Sequence, residues 1–238
     1  MSLYRDEGVV LRTLRLGEAD RIVTIISRGH GKIRAVAKGV RRTRSKFGAR
    51  VEPLSHVALQ CWQGRELDIV TQAEVLHAFR AVREDLSRVG KAYTMLETVD
   101  QIAQPGQPSP RLHDMLVGAL QVLEGDDPPL LVPAFLLKVL ALEGTAPILD
   151  RCASCGSVDT LVAFDLTEGG ALCRACRRGR PLGPDALDVL RRVLGGDLSG
   201  VLHQPAGEVA DEVAELVTEA MEAHLDRRLR SAHASGGL

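Results

Sequence analysis

The sequence predicts an α+β fold in which a small five-stranded barrel precedes an α-helical domain, and three observations carry that expectation. Apolar residues alternate with polar ones over the first 75 residues, recur at helical spacing over much of the remainder, and four cysteines in two C-x2-C pairs interrupt the helical part. The 238 residues suffice for one large or two smaller domains, and 45% apolar with 26% charged residues is a composition able to bury a core. Collagen-like, coiled-coil and globally disordered classes are excluded. The richest apolar run, LLVPAFLLKVLAL at 130–142, is too short for a membrane span and carries Pro133 and Lys138. The amino terminus MSLYRDEGVV lacks an apolar signal core, so a cytoplasmic protein is expected.

Five short strands are expected, VVLRTL at 9–14, RIVTIIS at 21–27, KIRAVAK at 32–38, HVALQCW at 56–62 and ELDIVTQ at 66–72, with glycines punctuating the turns between them. In the third, Ile33, Ala35 and Ala37 share one face while Arg34, Val36 and Lys38 share the other, so a strand with a basic outer face is built in. The segment after it, GVRRTRSKFGAR, places Arg41, Arg42, Arg44, Lys46 and Arg50 on a glycine-bounded loop. Five short strands with one long loop between the third and fourth suggest an oligonucleotide-binding (OB) type barrel over residues 1–78. An SH3-like barrel has similar strand statistics.

Beyond Thr71 the period shifts to about 3.6. Val82, Leu86, Val89, Tyr93, Leu96, Val99 and Ile102 form one stripe, ended by QPGQPSP at 104–110, and Leu112, Met115, Leu116, Ala119, Leu120 and Leu123 form the next. A third helix is expected around 133–142, and a last one carries Val209, Val213, Leu216, Ala220 and Leu225 with an acidic exposed face. The helical domain is thus assigned to 79–238, with the cysteine module at about 148–180.

The net charge of −1 hides an uneven distribution. Ten Lys or Arg and no Asp or Glu lie between Arg21 and Val51, which leaves 20 basic against 31 acidic residues elsewhere. Such a block suits phosphate recognition, because Lys and Arg gain affinity by releasing counterions condensed on a nucleic-acid backbone. A solvated basic face is the bland alternative. The candidate DNA-binding residues are Arg34, Lys38, Arg41, Arg42, Arg44, Lys46 and Arg50. Only seven aromatic residues occur, and Tyr4, Phe47 and Trp62 are the candidate stacking platforms of the barrel, although Phe47 is favoured as a core plug. With so few, binding should depend steeply on salt and differ little between single and double strands.

Cys152, Cys155, Cys173 and Cys176 form Cys-x2-Cys, seventeen residues, Cys-x2-Cys, a spacing that lets four thiolates converge on one structural Zn²⁺, with VAFD and TEGGAL between them suited to a short hairpin. Disulfides or redox pairs are the alternatives, disfavoured by a reducing compartment and by the lack of a thioredoxin-like context. Four thiolates leave no open coordination position for an activated water, so the site is expected to be structural. Arg174, Arg177, Arg178 and Arg180 surround the second pair and offset its charge; contact with phosphate is the other role open to them. Cys61 reads as a small core residue. No HExxH, GxSxG or complete Walker A motif is present, so no enzyme is expected. Glu74 and His77 form a single E-x-x-H, and His77 reads as a histidine at a helix start. His30 in the GHGK turn is a weak phosphate candidate, and Glu18 and Asp20 in GEADR suit a cap or turn.

The run EGVVLRTLRLGEADRIVTIISRGHGKIRAVAKGVRRTRSKFGARVEP, above all GEADRIVTI, HGK and AKGVRRTRSKFG, resembles the amino-terminal signature of the bacterial RecO recombinational-repair proteins. The resemblance continues through LDIVTQAEVLHAFRAVREDLSRVGKAYTMLETVD into the four cysteines, which some members of that family lack. It implies an OB barrel, a helical domain with a zinc module, and annealing of complementary strands without ATP, including strands coated by single-stranded-DNA-binding protein. It further implies partnership with RecR and loading of RecA onto single-stranded DNA. A zinc-stabilised regulator that reads a defined nucleic-acid sequence is the competing reading, and a zinc enzyme acting on nucleic acid is opposed by the closed thiolate set.

Overall fold

The computed structural model describes residues 2–42, 45 and 47–234. Residues through Gly125 form one compact unit and those from Asp126 another.

In the first unit, β1 (Leu3–Leu16), β2 (Asp20–Ser27), β3 (Gly31–Ala37), β4 (His56–Trp62) and β5 (Asp68–His77) close into a barrel in the order β1-β2-β3-β5-β4. All pairings are antiparallel except β3 with β5, where Val36 faces Ile69. This is the OB arrangement, and it removes the SH3-like alternative. The interior holds Val10, Val23, Ile25, Ile33, Ala35, Ala37, Val57, Leu59, Cys61 and Val70, closed by Phe47 from the loop after β3. Phe47 is therefore a plug and Cys61 a core residue, as expected.

Two strands outrun their predicted limits. β1 begins at Leu3 rather than Val9, because it pairs with β4 along its first half and β2 along its second. β5 runs to His77, so helical structure starts at Arg80 and His77 ends a strand, its ring stacked on Phe79. In the middle of β1 and along β2, alternation gives way to continuous burial, Val9 to Leu11 and Val23 to Ser27, because helices cover the outer face there. Those helices are α1 (Arg80–Glu84), α2 (Leu86–Ile102) and α3 (Pro110–Gly125). The predicted single stripe from Val82 to Ile102 is broken at Asp85, whose carboxylate accepts from the N–H groups of Ser87 and Arg88 and so caps α2. Gly31 is required by geometry: its φ is +71°, and a Cβ there would lie 2.2 Å from the Gln107 carbonyl oxygen.

The second unit packs α4 (Leu131–Leu142), α5 (Pro184–Gly195) and α7 (Glu208–Leu225) together, with short α6 (Leu198–Leu202) and α8 (Arg230–Ala234). Between α4 and α5 the chain forms a small sheet of β6 (Leu161–Asp165), β7 (Gly170–Cys173) and β8 (Arg180–Pro181), so the expected hairpin is present. The expected helices do not include α5, although Pro184 at its first turn and Gly196 in the left-handed region at its end bracket a buried stripe of Ala186, Leu187, Val189, Leu190 and Val193. Among the described residues, no helix is long and apolar enough to cross a membrane.

Candidate functional site

The basic run of the sequence divides, in the folded barrel, into cations held by the protein and cations left to solvent. Arg21 donates twice to the Glu52 carboxylate at 2.6 and 2.7 Å, Arg28 reaches both Asp114 oxygens at 3.2 Å, and Lys32 donates to the Asp100 carbonyl at 2.5 Å with its carboxylate at 3.5 Å. These three join the barrel strands and the β2–β3 turn to the following loop and helices. By contrast, Arg34, Lys38 and Arg42 are exposed and have no carboxylate partner among the described residues. Arg50 donates to the Ala73 carbonyl at 3.4 Å. Arg44 and Lys46 lie outside the described residues.

The turn that carries Lys38, Arg41 and Arg42 is built by the GEADR and AKGVRR motifs acting on each other. Asp20 Oδ1 accepts from the Gly39 N–H at 2.7 Å, Arg41 N–H donates to the Ala19 carbonyl at 3.0 Å, and the Arg41 guanidinium donates to the Glu18 carbonyl at 2.9 Å. Gly39 adopts φ +67°, which a side chain would resist. Asp20 thus has a turn role. The basic turn is held against the β1–β2 turn by one backbone bond and by the Asp20 and Arg41 side chains, while Lys38 and Arg42 stay exposed. Further along, Ser45 Oγ accepts from the N–H groups of Phe47 and Gly48, and this aims Phe47 into the barrel.

The HGK motif serves the scaffold as well. His30 Nδ1 lies 2.6 Å from Asp6 Oδ2, and its ring leans on Tyr4 with centroids 4.3 Å apart. Burial would raise the Asp6 carboxyl, but hydrogen bonds from His30, Ser27 and the N–H groups of Glu7 and Gly29 outweigh it and hold the pKa below the usual carboxylate range. Tyr4 is half-buried and donates to Asp68. Of the three candidate stacking aromatics, only Trp62 is exposed, at 44%.

In the second unit, the sulfur atoms of Cys152, Cys155, Cys173 and Cys176 all lie within 4.8 Å of one another, and Cys155 Sγ is 3.8 Å from Cys173 Sγ. Metal–sulfur bonds of about 2.3 Å in a tetrahedron separate the sulfurs by about 3.8 Å, so the set fits a single metal ion. The first pair sits on a tight turn in which Gly156 N–H donates to the Cys152 carbonyl at 2.9 Å with φ +77°. Backbone N–H groups of Cys173 and then Cys155 lower the Cys152 pKa to about 6, whereas the hydrogen bond with Cys155, and then burial, push Cys176 up to about 12. The surrounding arginines divide as the barrel cations do. Arg178 pairs with Glu168 and Asp165, Arg180 bonds Glu215 at 2.8 Å and Glu219 at 3.0 Å on α7, and Arg174 and Arg177 are exposed. Arg191 on α5 donates to the Leu149 carbonyl, and Glu212 on α7 accepts from the Gly183 N–H, so the module is tied to the helices that flank it.

Comparison with known families matches residues 1–79 to Recombination protein O N terminal and residues 83–233 to Recombination protein O C terminal. The chain belongs to the recombination protein O family. Membership gives it a role as a recombination mediator in DNA repair, with DNA among its ligands. The two matches meet between 79 and 83, just after β5 ends, whereas the compact first unit also includes α1 to α3. What sequence reasoning missed in this RecO-family barrel is which cations are spoken for. Glu52, Asp100 and Asp114 lie 31 or more residues from the cations they hold, and no local pattern announces those pairings.

Proposed function

We propose that this RecO-family chain anneals complementary single strands without nucleotide, through the exposed cations at the edge of its barrel. The observation that carries the reading is the exposure of Arg34, Lys38 and Arg42 with no carboxylate partner among the described residues, beside a turn pinned by Asp20 and Arg41. Annealing demands neutralisation of two phosphate backbones while base edges stay free to pair, and cations that bind phosphate without reading bases meet both demands. Arg41 and Arg50 join them in this reading, and Arg44 and Lys46 are included on the sequence alone.

In this reading the four cysteines hold one Zn²⁺, a choice supported by an all-thiolate set in C-x2-C pairs. The ion closes its own coordination sphere and stabilises the β6–β8 module, and the protein acts by binding rather than by turnover. It works in the cytoplasm on the nucleoid, together with RecR, on strands coated by single-stranded-DNA-binding protein, and delivers them to RecA. These partners rest on family membership.

The test mixes metal-replete protein with two dye-labelled complementary strands and follows pairing by fluorescence transfer, beside a Lys38→Ala/Arg42→Ala variant. Pairing accelerated by the parent and clearly slowed in the folded variant is the expected result. No acceleration over the spontaneous rate at low salt would sink the annealing claim and leave a sequence-reading regulator to be sought by selection among random oligonucleotides.

A further inference from the structure

Strand register sets six apolar residues side by side around the outside of the barrel. Leu14 on β1 faces Ile22 on β2, Ile22 faces Val36 on β3, Val36 faces Ile69 on β5, Ile69 faces Trp62 on β4, and Trp62 faces Leu3 at the start of β1. Their sequence neighbours Val23, Ala35, Ala37, Val70 and Cys61 fill the core, so alternation turns this row outward. Leu3, Leu14 and Trp62 are 45%, 47% and 44% exposed. Ile22, Val36 and Ile69 between them are half-buried, and an apolar row that reaches solvent in this way offers an interaction surface.

The charges beside the strip say what it fits. Arg34 on β3 and Lys38, one residue past its end, lie two residues to either side of Val36. Both are exposed and without a carboxylate partner among the described residues. A strip of apolar surface bordered by free cations complements a polymer of flat apolar faces on an anionic backbone. A duplex hides its base faces in its own stack and offers the strip nothing.

We infer that the Trp62 indole is a stacking platform for a base of single-stranded DNA, with Ile69 and Val36 extending the apolar floor and Arg34 and Lys38 holding the adjacent phosphates. This rests on the reading of the barrel as a DNA-binding surface and deepens it. Stacking engages the face of a base and leaves its pairing edge free, so a strand held this way stays competent to anneal. The charge contribution is common to both forms of DNA and fades with salt, whereas the Trp62 contribution belongs to single strands and persists, so the near-equal affinity expected from the low aromatic content gives way to a single-strand preference as salt rises.

The chain contains one tryptophan, so its fluorescence reports on this position alone. The full-length protein is titrated with an oligothymidylate of about 16 nucleotides and, separately, with a duplex of matched length, while the anisotropy of a dye on the DNA reports binding independently. Saturable quenching of the indole by the single strand and not by the duplex is expected. Replacing Trp62→Leu should weaken single-strand affinity by about 5- to 150-fold at raised salt and leave duplex affinity unaltered. Binding seen by anisotropy without indole quenching overturns the stacking inference and leaves the charge reading intact, and so does an equal loss for both DNA forms in the variant. Absence of binding by anisotropy at low salt overturns the DNA-binding reading beneath it. The quenching measurement uses the parent protein, so the inference stays exposed to refutation even if the variant misfolds.

Discussion

Removing the three free cations should change how DNA affinity responds to salt, and removing structural ones should not. The perturbation is Arg34→Ala/Lys38→Ala/Arg42→Ala, three exposed side chains without carboxylate partners among the described residues. Each phosphate contact to a single strand contributes about −0.7 to the slope of log K against log salt, so losing three flattens it by about 2. Extrapolated from 1 M salt, where this contribution vanishes, the same loss is about 100-fold in affinity at 0.1 M. The control is Arg21→Ala/Arg28→Ala, which removes cations already neutralised by Glu52 and Asp114. Anisotropy of a labelled single strand across a salt series provides both slopes. A control that flattens the slope as much as the triple variant, charge for charge, would show that only net charge matters and refute the division between held and free cations. An unchanged slope in the triple variant would place the contacts elsewhere.

Three further outcomes follow from the geometry. Metal analysis should find one zinc per chain, and Cys155→Ser should abolish it and lower the melting temperature of the second unit, since structural zinc supplies folding energy of order 10 kcal/mol in small modules; a metal-free chain with an unshifted melt would contradict this. Phe47→Ala should cost about 3 to 5 kcal/mol by opening a cavity in the barrel, read by denaturant unfolding, and a cost near zero would show that the plug is dispensable. His56 is buried with neither ring nitrogen partnered among the described residues, and burial, then the nearby His113, lowers its pKa. Because the unfolded chain takes up a proton at about 6.5 and the folded one only at lower pH, stability should fall as pH drops below about 6.5. His56→Leu should flatten that decline in thermal melts, and an unchanged pH profile would show that another group is responsible.

The sequence by itself determined much of this molecule because its signals are local. Alternation over β3 and β4 requires only that successive side chains face opposite ways, and Ile33, Ala35 and Ala37 did enter the core while Arg34 and Lys38 stayed out. The cysteine spacing encodes a closed cluster because each C-x2-C pair is its own turn, and one hairpin joins the two pairs. Helix boundaries failed where a single side chain decided them, as Asp85 does between α1 and α2. Only the tertiary structure could decide which charges are free. Whether Arg28 is a phosphate ligand or a strut depends on Asp114, eighty-six residues away, and the Coulomb attraction between them acts only once α3 lies against the barrel. The row from Leu14 to Leu3 is likewise invisible along the chain, since hydrogen-bond register across five strands, and not spacing within any one of them, sets its members side by side.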